Sequence, residues 1–132
     1  MKQQLENEYI KFWIEDGILY SSLKKPIEGN LENMKRLIDL RHQISNNEKQ
    51  YWCYEFKIIP PYEKEAIRYI ELYGQEYLYA AAIIVSSHIQ RFILDVFRKK
   101  NTKVSIQLFK NKEDALFWLR EIKTKNEVIR IN

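Results

Sequence analysis

An uninterrupted apolar run from Tyr77 to Val85 constrains the fold of this 132-residue chain more than any other feature. Its nine residues are far fewer than the roughly 20 that a membrane-spanning helix needs. The run therefore predicts a buried segment of a globular domain. A continuous stretch of small and branched residues is typical of a strand that is covered on both faces. The alanines would also suit a helix, but Ile83 to Val85 and the capping signal after them favour a strand over Tyr79–Ser86.

The rest of the chain alternates between strand-like and helix-like patterns, which a few Gly and Pro residues separate. Asp16-Gly17 between two β-like runs predicts a hairpin. Pro60-Pro61 cannot continue a central strand, so we expect it to open a helix. The predicted strands are Tyr9–Ile14, Ile18–Leu23, Tyr51–Ile59, Tyr79–Ser86 and Val104–Phe109. The predicted helices are Leu31–Ser45, Glu63–Tyr73, one that begins after Ser87 and one that begins after Asn111.

The helix that follows Ser87 has the clearest amphipathic pattern in the chain. Ser87 and Gln90 form the signature of a capping box. Apolar residues then recur at the spacing of one helical face, which is typical of a face that packs against a core. This apolar stripe consists of Ile89, Phe92, Ile93, Val96 and Phe97. In the last helix the residues that share one face are Ala115, Trp118, Leu119 and Ile122.

Together these elements predict a single α/β domain with the order ββαβαβαβα. Its centre is a mixed, mostly parallel sheet of about five strands, accompanied by four helices. Residues 9–123 form this domain, residues 1–8 are a polar N-terminal tail, and residues 124–132 are a C-terminal tail. Three apolar residues of the C-terminal tail either add a short edge strand or stay loose: Val128, Ile129 and Ile131.

Composition and charge exclude several classes of protein. Hydrophobic residues make up 45% of the chain and charged residues 30%, which excludes an intrinsically disordered protein. The net charge of +4 comes mainly from the C-terminal region, where basic residues are less dense than on a nucleic-acid-binding surface. Residues 1–8 lack the apolar stretch of a signal peptide. We therefore expect a cytoplasmic protein with no nucleic-acid partner and no membrane span.

The sequence carries no pattern that indicates catalysis. His42 and His88 lie on different predicted helices with no matching pair, and the Asp and Glu residues are scattered on polar faces. Ser87 is best explained as a helix cap. Cys53 is the single cysteine, so it forms no internal disulfide, and its place in an aromatic strand predicts a buried, inert thiol. We expect no enzymatic activity, no metal and no cofactor.

Binding residues are expected where the parallel strands end, because ligands of open α/β sheets bind at this edge. Helix N-termini at the same edge attract anions, and a tyrosine there combines a large apolar ring with a polar hydroxyl. The predicted binding surface consists of Pro61, Tyr62, Ser87, His88, Arg91 and Lys110.

Three motifs resemble the SpoIIAA-like, or STAS-like, domains, which are small bacterial regulatory modules. They are Ala80-Ala-Ala-Ile-Ile-Val-Ser-Ser87, Phe92-Ile-Leu-Asp-Val-Phe97 and Phe109-Lys-Asn-Lys-Glu-Asp-Ala-Leu-Phe-Trp-Leu119, and the resemblance extends over residues 9–123. In the anti-sigma-factor antagonists among such domains, phosphorylation of a serine at the start of one helix switches partner binding off. The matching segment here, residues 58–65, has Tyr62 as its only hydroxyl, so this phosphoserine switch is not implied.

The resemblance implies a non-enzymatic interaction or regulatory module that acts by reversible protein binding through residues 59–63 and 86–91. Its partner would be another protein, and a homodimer is left open. Some domains of this kind bind small ligands or lipids instead. The alternative is therefore a domain that binds a small anionic ligand or a lipid at the helix N-termini.

Overall fold

Eight strands and four helices follow one another along residues 3–101 and 104–131, which are the residues that the computed structural model describes. The strands are β1 (Gln4–Glu6), β2 (Ile10–Glu15), β3 (Ile18–Leu23), β4 (Ile27–Gly29), β5 (Gln50–Glu55), β6 (Ile58–Tyr62), β7 (Leu78–Ile84) and β8 (Ser105–Phe109). The helices are α1 (Leu31–Ser45), α2 (Lys64–Tyr73), α3 (His88–Asn101) and α4 (Lys112–Ile131).

Six of the strands form one mixed sheet in the order β1-β2-β3-β5-β7-β8. The neighbours β1, β2 and β3 pair antiparallel, whereas β3, β5, β7 and β8 pair parallel. The remaining strands, β4 and β6, pair with each other in a small parallel sheet. For the described residues, the predicted single α/β domain with a mixed sheet and four helices is therefore confirmed. The main sheet has six strands rather than about five, and it begins antiparallel.

The predicted hairpin joins β2 to β3 through Asp16 and Gly17. Both residues have positive φ angles, of 52° and 77°, and a tight two-residue turn between twisted strands requires this backbone conformation. Glycine adopts it without steric cost, and aspartate tolerates it better than most residues. Glu15 pairs directly with Ile18 across the turn, so the turn fixes the register of the first two long strands.

The central strand β7 is covered on both faces, as its continuous apolar sequence predicts. On one face, Ala80 and Ala82 pack against Ala115 and Leu119 of α4. On the other face, Ala81 belongs to a cluster that includes residues of α1 and of the neighbouring strands. The four alanines and the leucine named here are at most 2% exposed. The sheet is therefore the middle layer between α4 and the other three helices.

The last helix is longer than predicted. α4 runs without a break from Lys112 to Ile131, so the expected C-terminal tail is helical over its described residues. The segment contains neither Gly nor Pro, and an i,i+4 ion pair between Lys123 and Glu127 supports its C-terminal part. The edge-strand alternative is wrong for the three residues named for it: Val128, Ile129 and Ile131.

None of the described helices is both long and apolar enough to cross a bilayer.

Three other segments also differ from the prediction. Gln4–Glu6, expected in the N-terminal tail, form β1 and pair with β2. Pro60-Pro61, expected to open a helix, lie in β6, and α2 begins only at Lys64. The predicted strand Tyr51–Ile59 is in fact divided between β5 and β6, which belong to different sheets. A two-stranded sheet has edge positions only, and prolines are tolerated there because their missing N–H can face away from the partner strand.

The apolar stripe of α3 does not face the core where it is described. Ile89 is 73% exposed and Phe92 is 70% exposed. Leu94, nearly opposite them on the helix, packs against the sheet instead. The serine cap at Ser87 fixes where the helix begins, and the position of Leu94 over the sheet fixes its rotation. Three members of the stripe have side chains outside the described part of the structure: Ile93, Val96 and Phe97.

Candidate functional site

A cavity of about 390 Å³ lies between the main sheet and the helices α1, α2 and α3. Protein interiors are normally packed without voids of this size, whereas ligand sites have volumes of roughly 300–1,000 Å³. Most of the lining side chains are apolar or aromatic. They are Met34, Leu37, Ile38, Trp52, Tyr54, Phe56, Ile58, Tyr62, Ala66, Ile67, Ile70, Leu78, Ala81, Ile83, Leu94, Ile106 and Leu108.

The size pattern of the sheet residues explains why space remains beneath the helices. Trp52 and Tyr54 of β5 stack with their ring centroids 3.9 Å apart, so both rings occupy the same part of the floor. Ala81 of β7 stands directly beside Trp52 in the strand register, and its methyl group leaves the space above it free. Among the described residues, Leu94 is the one side chain of α3 that lines the cavity. Three helices thus enclose this face without filling it.

Few polar groups reach the cavity. The Tyr62 hydroxyl donates a hydrogen bond to the carbonyl of Ile58 at 3.0 Å, and burial raises the pKa of Tyr62. Burial also raises the pKa of Tyr54 far above its ordinary value of 10.0. Glu71 and Gln75 of the α2 region complete the polar lining. Because both phenols stay protonated at neutral pH, the wall offers hydroxyl groups and the single carboxylate of Glu71.

Arg41 stands at the end of the α1 face that lines the cavity. Leu37 and Ile38 line the cavity one turn earlier, so Arg41 continues their row at i+4 and i+3. Its side chain is fully buried. One guanidinium nitrogen, Nη2, donates to the carbonyls of Gly74 at 3.0 Å and Glu76 at 2.9 Å. Arg41 therefore ties α1 to the segment that joins α2 to β7.

The Arg41 guanidinium lies just behind the cavity wall. Its central carbon is 5.1 Å from the ring centroid of Trp52, and both Trp52 and Gly74 line the cavity. The nitrogens Nε and Nη1 are buried and have no hydrogen-bond partner among the described residues. Burial lowers the pKa of Arg41 to about 10, so the side chain remains a cation at neutral pH. This arrangement places a buried positive charge beside an apolar cavity.

The binding residues predicted from the sequence are divided between two places. Tyr62 lines the cavity, and Pro61 is exposed beside it in β6. Ser87, His88 and Lys110 follow the carboxyl ends of β7 and β8, whose ends are joined by a hydrogen bond of 2.8 Å between Val85 and Phe109. His88 and Lys110 are exposed and Arg91 is half-buried. The cavity lining includes none of the four residues Ser87, His88, Arg91 and Lys110.

The predicted cap of α3 is present in part. The Gln90 backbone N–H donates to the Ser87 hydroxyl at 3.3 Å. The side-chain oxygen Oε1 of Gln90 is buried without a partner among the described residues, so the reciprocal half of the capping box is not formed. Ser87 is therefore engaged as a helix cap at the position where the sequence places it.

Cys53 lies on the opposite face of the sheet from the cavity. It is 2% exposed within the cluster beneath α4, which confirms its predicted burial. Burial raises the pKa of its thiol from 9.0 to about 11. Within the residues that the structure describes, no group of three or more His, Cys, Asp or Glu side chains is arranged to hold a metal ion. The chemistry of the candidate site is therefore that of the cavity and Arg41.

Sequence reasoning missed Arg41 and the cavity as a whole. The signal in the sequence was an arginine in the apolar row of α1, following Met34, Leu37 and Ile38 at helical spacing. A charged residue in such a row is buried only when it finds partners. Here the partners are carbonyls of a loop more than 30 residues away in the sequence, and local patterns do not reveal contacts of that range.

Comparisons with known proteins correct the expected family. One family model, described as a domain of unknown function (DUF7793), matches residues 12–123. No curated protein and no solved structure matches the chain. The predicted membership of the SpoIIAA-like or STAS-like domains is wrong, because the family model that matches the chain describes a different family. The motifs that suggested it are mainly apolar residues at strand and helix spacing, a pattern that unrelated α/β domains share. The chain belongs to the DUF7793 family of domains of unknown function.

Proposed function

We propose that this domain is a non-enzymatic binding module whose ligand is a small, largely apolar molecule held between the main sheet and helices α1, α2 and α3. The observation that carries this proposal is the cavity of about 390 Å³ with its mostly apolar lining. Such a cavity is of the size that ligand sites have. The sequence suggested as an alternative a domain that binds a small anionic ligand or a lipid at the helix N-termini. The present proposal keeps a lipid-like ligand but places it in the space beneath the helices.

Burial of apolar surface would stabilise a ligand in this cavity. An apolar molecule that leaves water for this cavity gains roughly 0.8 kcal/mol for each buried CH₂ group. Its contacts also replace those that the lining side chains lack while the space is empty. The aromatic rings of Trp52 and Tyr54 offer a flat surface, whereas Ile70 and Leu108 offer aliphatic ones. The lining therefore suits a chain or a fused ring better than a sugar or a nucleotide.

The experiment is titration of the protein with Nile red, an uncharged dye that fluoresces in apolar surroundings. We expect saturable binding to the wild-type protein and loss of binding in Leu94→Trp, because the larger ring occupies the cavity. The matched control is Leu72→Trp, since Leu72 is 55% exposed and does not line the cavity. Equal binding by the two variants would show that the dye binds elsewhere, and this proposal would then be abandoned.

A second candidate function is reversible protein binding through the start of α3, the function that the sequence favoured first. The exposed apolar side chains of Ile89 and Phe92 support it. Arg91 lies on the same helix, and Lys110 follows the strand beside it. A second copy of the chain would bring these cations together, so the partner we propose is a different protein with apolar side chains surrounded by carboxylates.

This second candidate is tested with a surface variant and a matched control. Phe92→Ser should weaken the complex with an acidic protein identified by crosslinking. The melting temperature of this variant should stay close to that of the wild type. Phe117→Ser is the control, because Phe117 is 67% exposed on α4, on the other side of the sheet. If both variants bind the partner as the wild type does, or if sedimentation shows self-association through Phe92, the proposed interface is wrong.

A further inference from the structure

We infer that the ligand of the cavity is an amphiphilic monocarboxylate, with its apolar chain along the cavity and its carboxylate against Arg41. The inference rests on the proposed small-molecule function and adds the chemical class of the ligand. It depends on an observation separate from the volume of the cavity, namely a buried cation that lacks a bonded counter-ion among the described residues.

The guanidinium of Arg41 is only partly hydrogen-bonded by the described residues. Its fixed charge is 0% exposed, yet the groups that accept its hydrogen bonds are the neutral carbonyls of Gly74 and Glu76. Two of its nitrogens, Nε and Nη1, donate to nothing among the described residues. A buried charge is ordinarily paired with an opposite charge, because burial removes the water that would otherwise stabilise it. A ligand carboxylate would supply the missing charge and accept from one of these donors.

The guanidinium of Arg41 also lies close to the cavity. Arg41 follows Leu37 and Ile38 on the α1 face that lines the cavity, and its guanidinium lies against the ring of Trp52, which also lines it. The guanidinium is one layer behind the wall. The carboxylate therefore reaches it between the Trp52 ring and the segment of Gly74 and Gln75, with a shift of those side chains.

The other charged and polar groups around the cavity favour a carboxylate at the Arg41 end. Glu71 is half-buried in the lining, and its carboxylate would repel a ligand carboxylate placed beside it. Glu76 acts electrostatically on Arg41 but is exposed, so water screens its charge. Tyr54 and Arg41 lie close enough to affect each other's pKa. Tyr54 lines the cavity, and burial raises its pKa so that it keeps its proton. Its hydroxyl can therefore donate to the same carboxylate. The favourable place for the head group is therefore the Arg41 end.

The experiment compares two ligands of equal chain length, dodecanoate and dodecanol, at concentrations below micelle formation. Displacement of Nile red from the wild-type protein should show roughly tenfold or tighter binding of dodecanoate than of dodecanol, as a charge-assisted hydrogen bond predicts. In Arg41→Met this preference should disappear while dodecanol binding stays similar. Arg36→Met is the matched control, because Arg36 lies on α1 and pairs at the surface with Glu8 at 2.7 Å.

The outcomes separate this inference from the proposed function. Equal affinity of the wild type for the two ligands would overturn the carboxylate assignment and leave the apolar site standing. Failure of both ligands and of Nile red to bind would overturn the proposed function itself. If Arg41→Met does not fold, ¹³C NMR of carboxyl-labelled dodecanoate on the wild-type protein decides. The bound carboxyl should titrate at a lower pH than the free acid, and an unchanged midpoint would place it in water and overturn the inference.

Discussion

The two faces of the main sheet are built from the same strands but are packed in different ways. Beneath α4, Ala80 and Ala82 meet Ala115 and Leu119 in a cluster without exposed members. On the other face, Ala81 lies beneath three helices and a cavity of about 390 Å³. Small residues thus allow close packing where a single long helix lies directly on them, and leave space where several helices meet above them.

Aromatic rings pack against one another on both faces of the sheet, but on one face they also line the cavity. Under α4, Tyr51 stacks on Tyr79 with centroids 5.0 Å apart, and Phe109 packs on Trp118 at 5.6 Å. On the cavity face, the ring of Trp52 stacks on Tyr54 with centroids 3.9 Å apart and packs on Phe12 at 6.2 Å, and the rings of Trp52 and Tyr54 also line the cavity. The α4 face is therefore the closely packed one, and the opposite face carries the cavity.

The largest difference between the faces should come from removing a leucine from each. Leu119→Ala on the tight face should lower the free energy of unfolding by about 3–5 kcal/mol, because a fully enclosed side chain leaves a new cavity. Leu78→Ala on the cavity face should cost only about 2–3 kcal/mol, because its surroundings already border space and can relax. Urea denaturation of both variants gives the comparison. A larger loss for Leu78→Ala would reverse the assignment of the two faces.

Enlarging an alanine should destabilise the protein more on the α4 face than on the cavity face. Ala82→Leu should destabilise the protein by about 1–3 kcal/mol through overpacking under α4. Ala81→Leu should change the free energy of unfolding by less than about 1 kcal/mol, because its extra carbons enter the cavity. It should also reduce the binding of Nile red. Thermal unfolding and dye titration of both variants provide the measurement, and equal destabilisation would mean that the cavity cannot accept added volume.

The smallest expected effect is a pH dependence that belongs to the tight face. Burial raises the pKa of Cys53 from 9.0 to about 11, so the unfolded chain loses this proton at lower pH than the folded one. The stabilisation is complete below pH 9.0 and is lost as the pH rises toward about 11. It should fall by about 1 kcal/mol by pH 10. Cys53→Ala should show a shallower decline in urea midpoints, and an identical decline would show that other groups cause it.

Local patterns predicted the elements that their own residues specify. Asp16-Gly17 specified the hairpin, and the apolar run through Ala80 to Val85 specified a strand covered on both faces. The same patterns failed where distant contacts decide. The rotation of α3 depends on where Leu94 packs, so its periodicity alone could not show that Phe92 faces solvent. Likewise, Pro60-Pro61 lies in β6 because β4, far away in the sequence, provides a strand to pair with.

The candidate site was less predictable than the fold. The sequence placed binding at the ends of the strands, and of the six residues it named, Tyr62 is the one that lines the cavity. A cavity is a property of side chains from many elements at once, and a single-chain pattern does not contain their separation. Arg41 was visible as a charge in an apolar row, but its burial depends on the loop that begins at Gly74.

The most direct test of the account is NMR of the five alanine methyl groups during titration with dodecanol. Ala66 and Ala81 line the cavity, whereas Ala80, Ala82 and, on α4 itself, Ala115 lie in the cluster between the sheet and α4. The ligand should shift the methyl signals of the first two and give contacts to them, and it should leave the other three nearly unchanged. Equal shifts of all five signals, or shifts confined to the α4 face, would contradict the claim that the ligand site lies between the sheet and α1, α2 and α3.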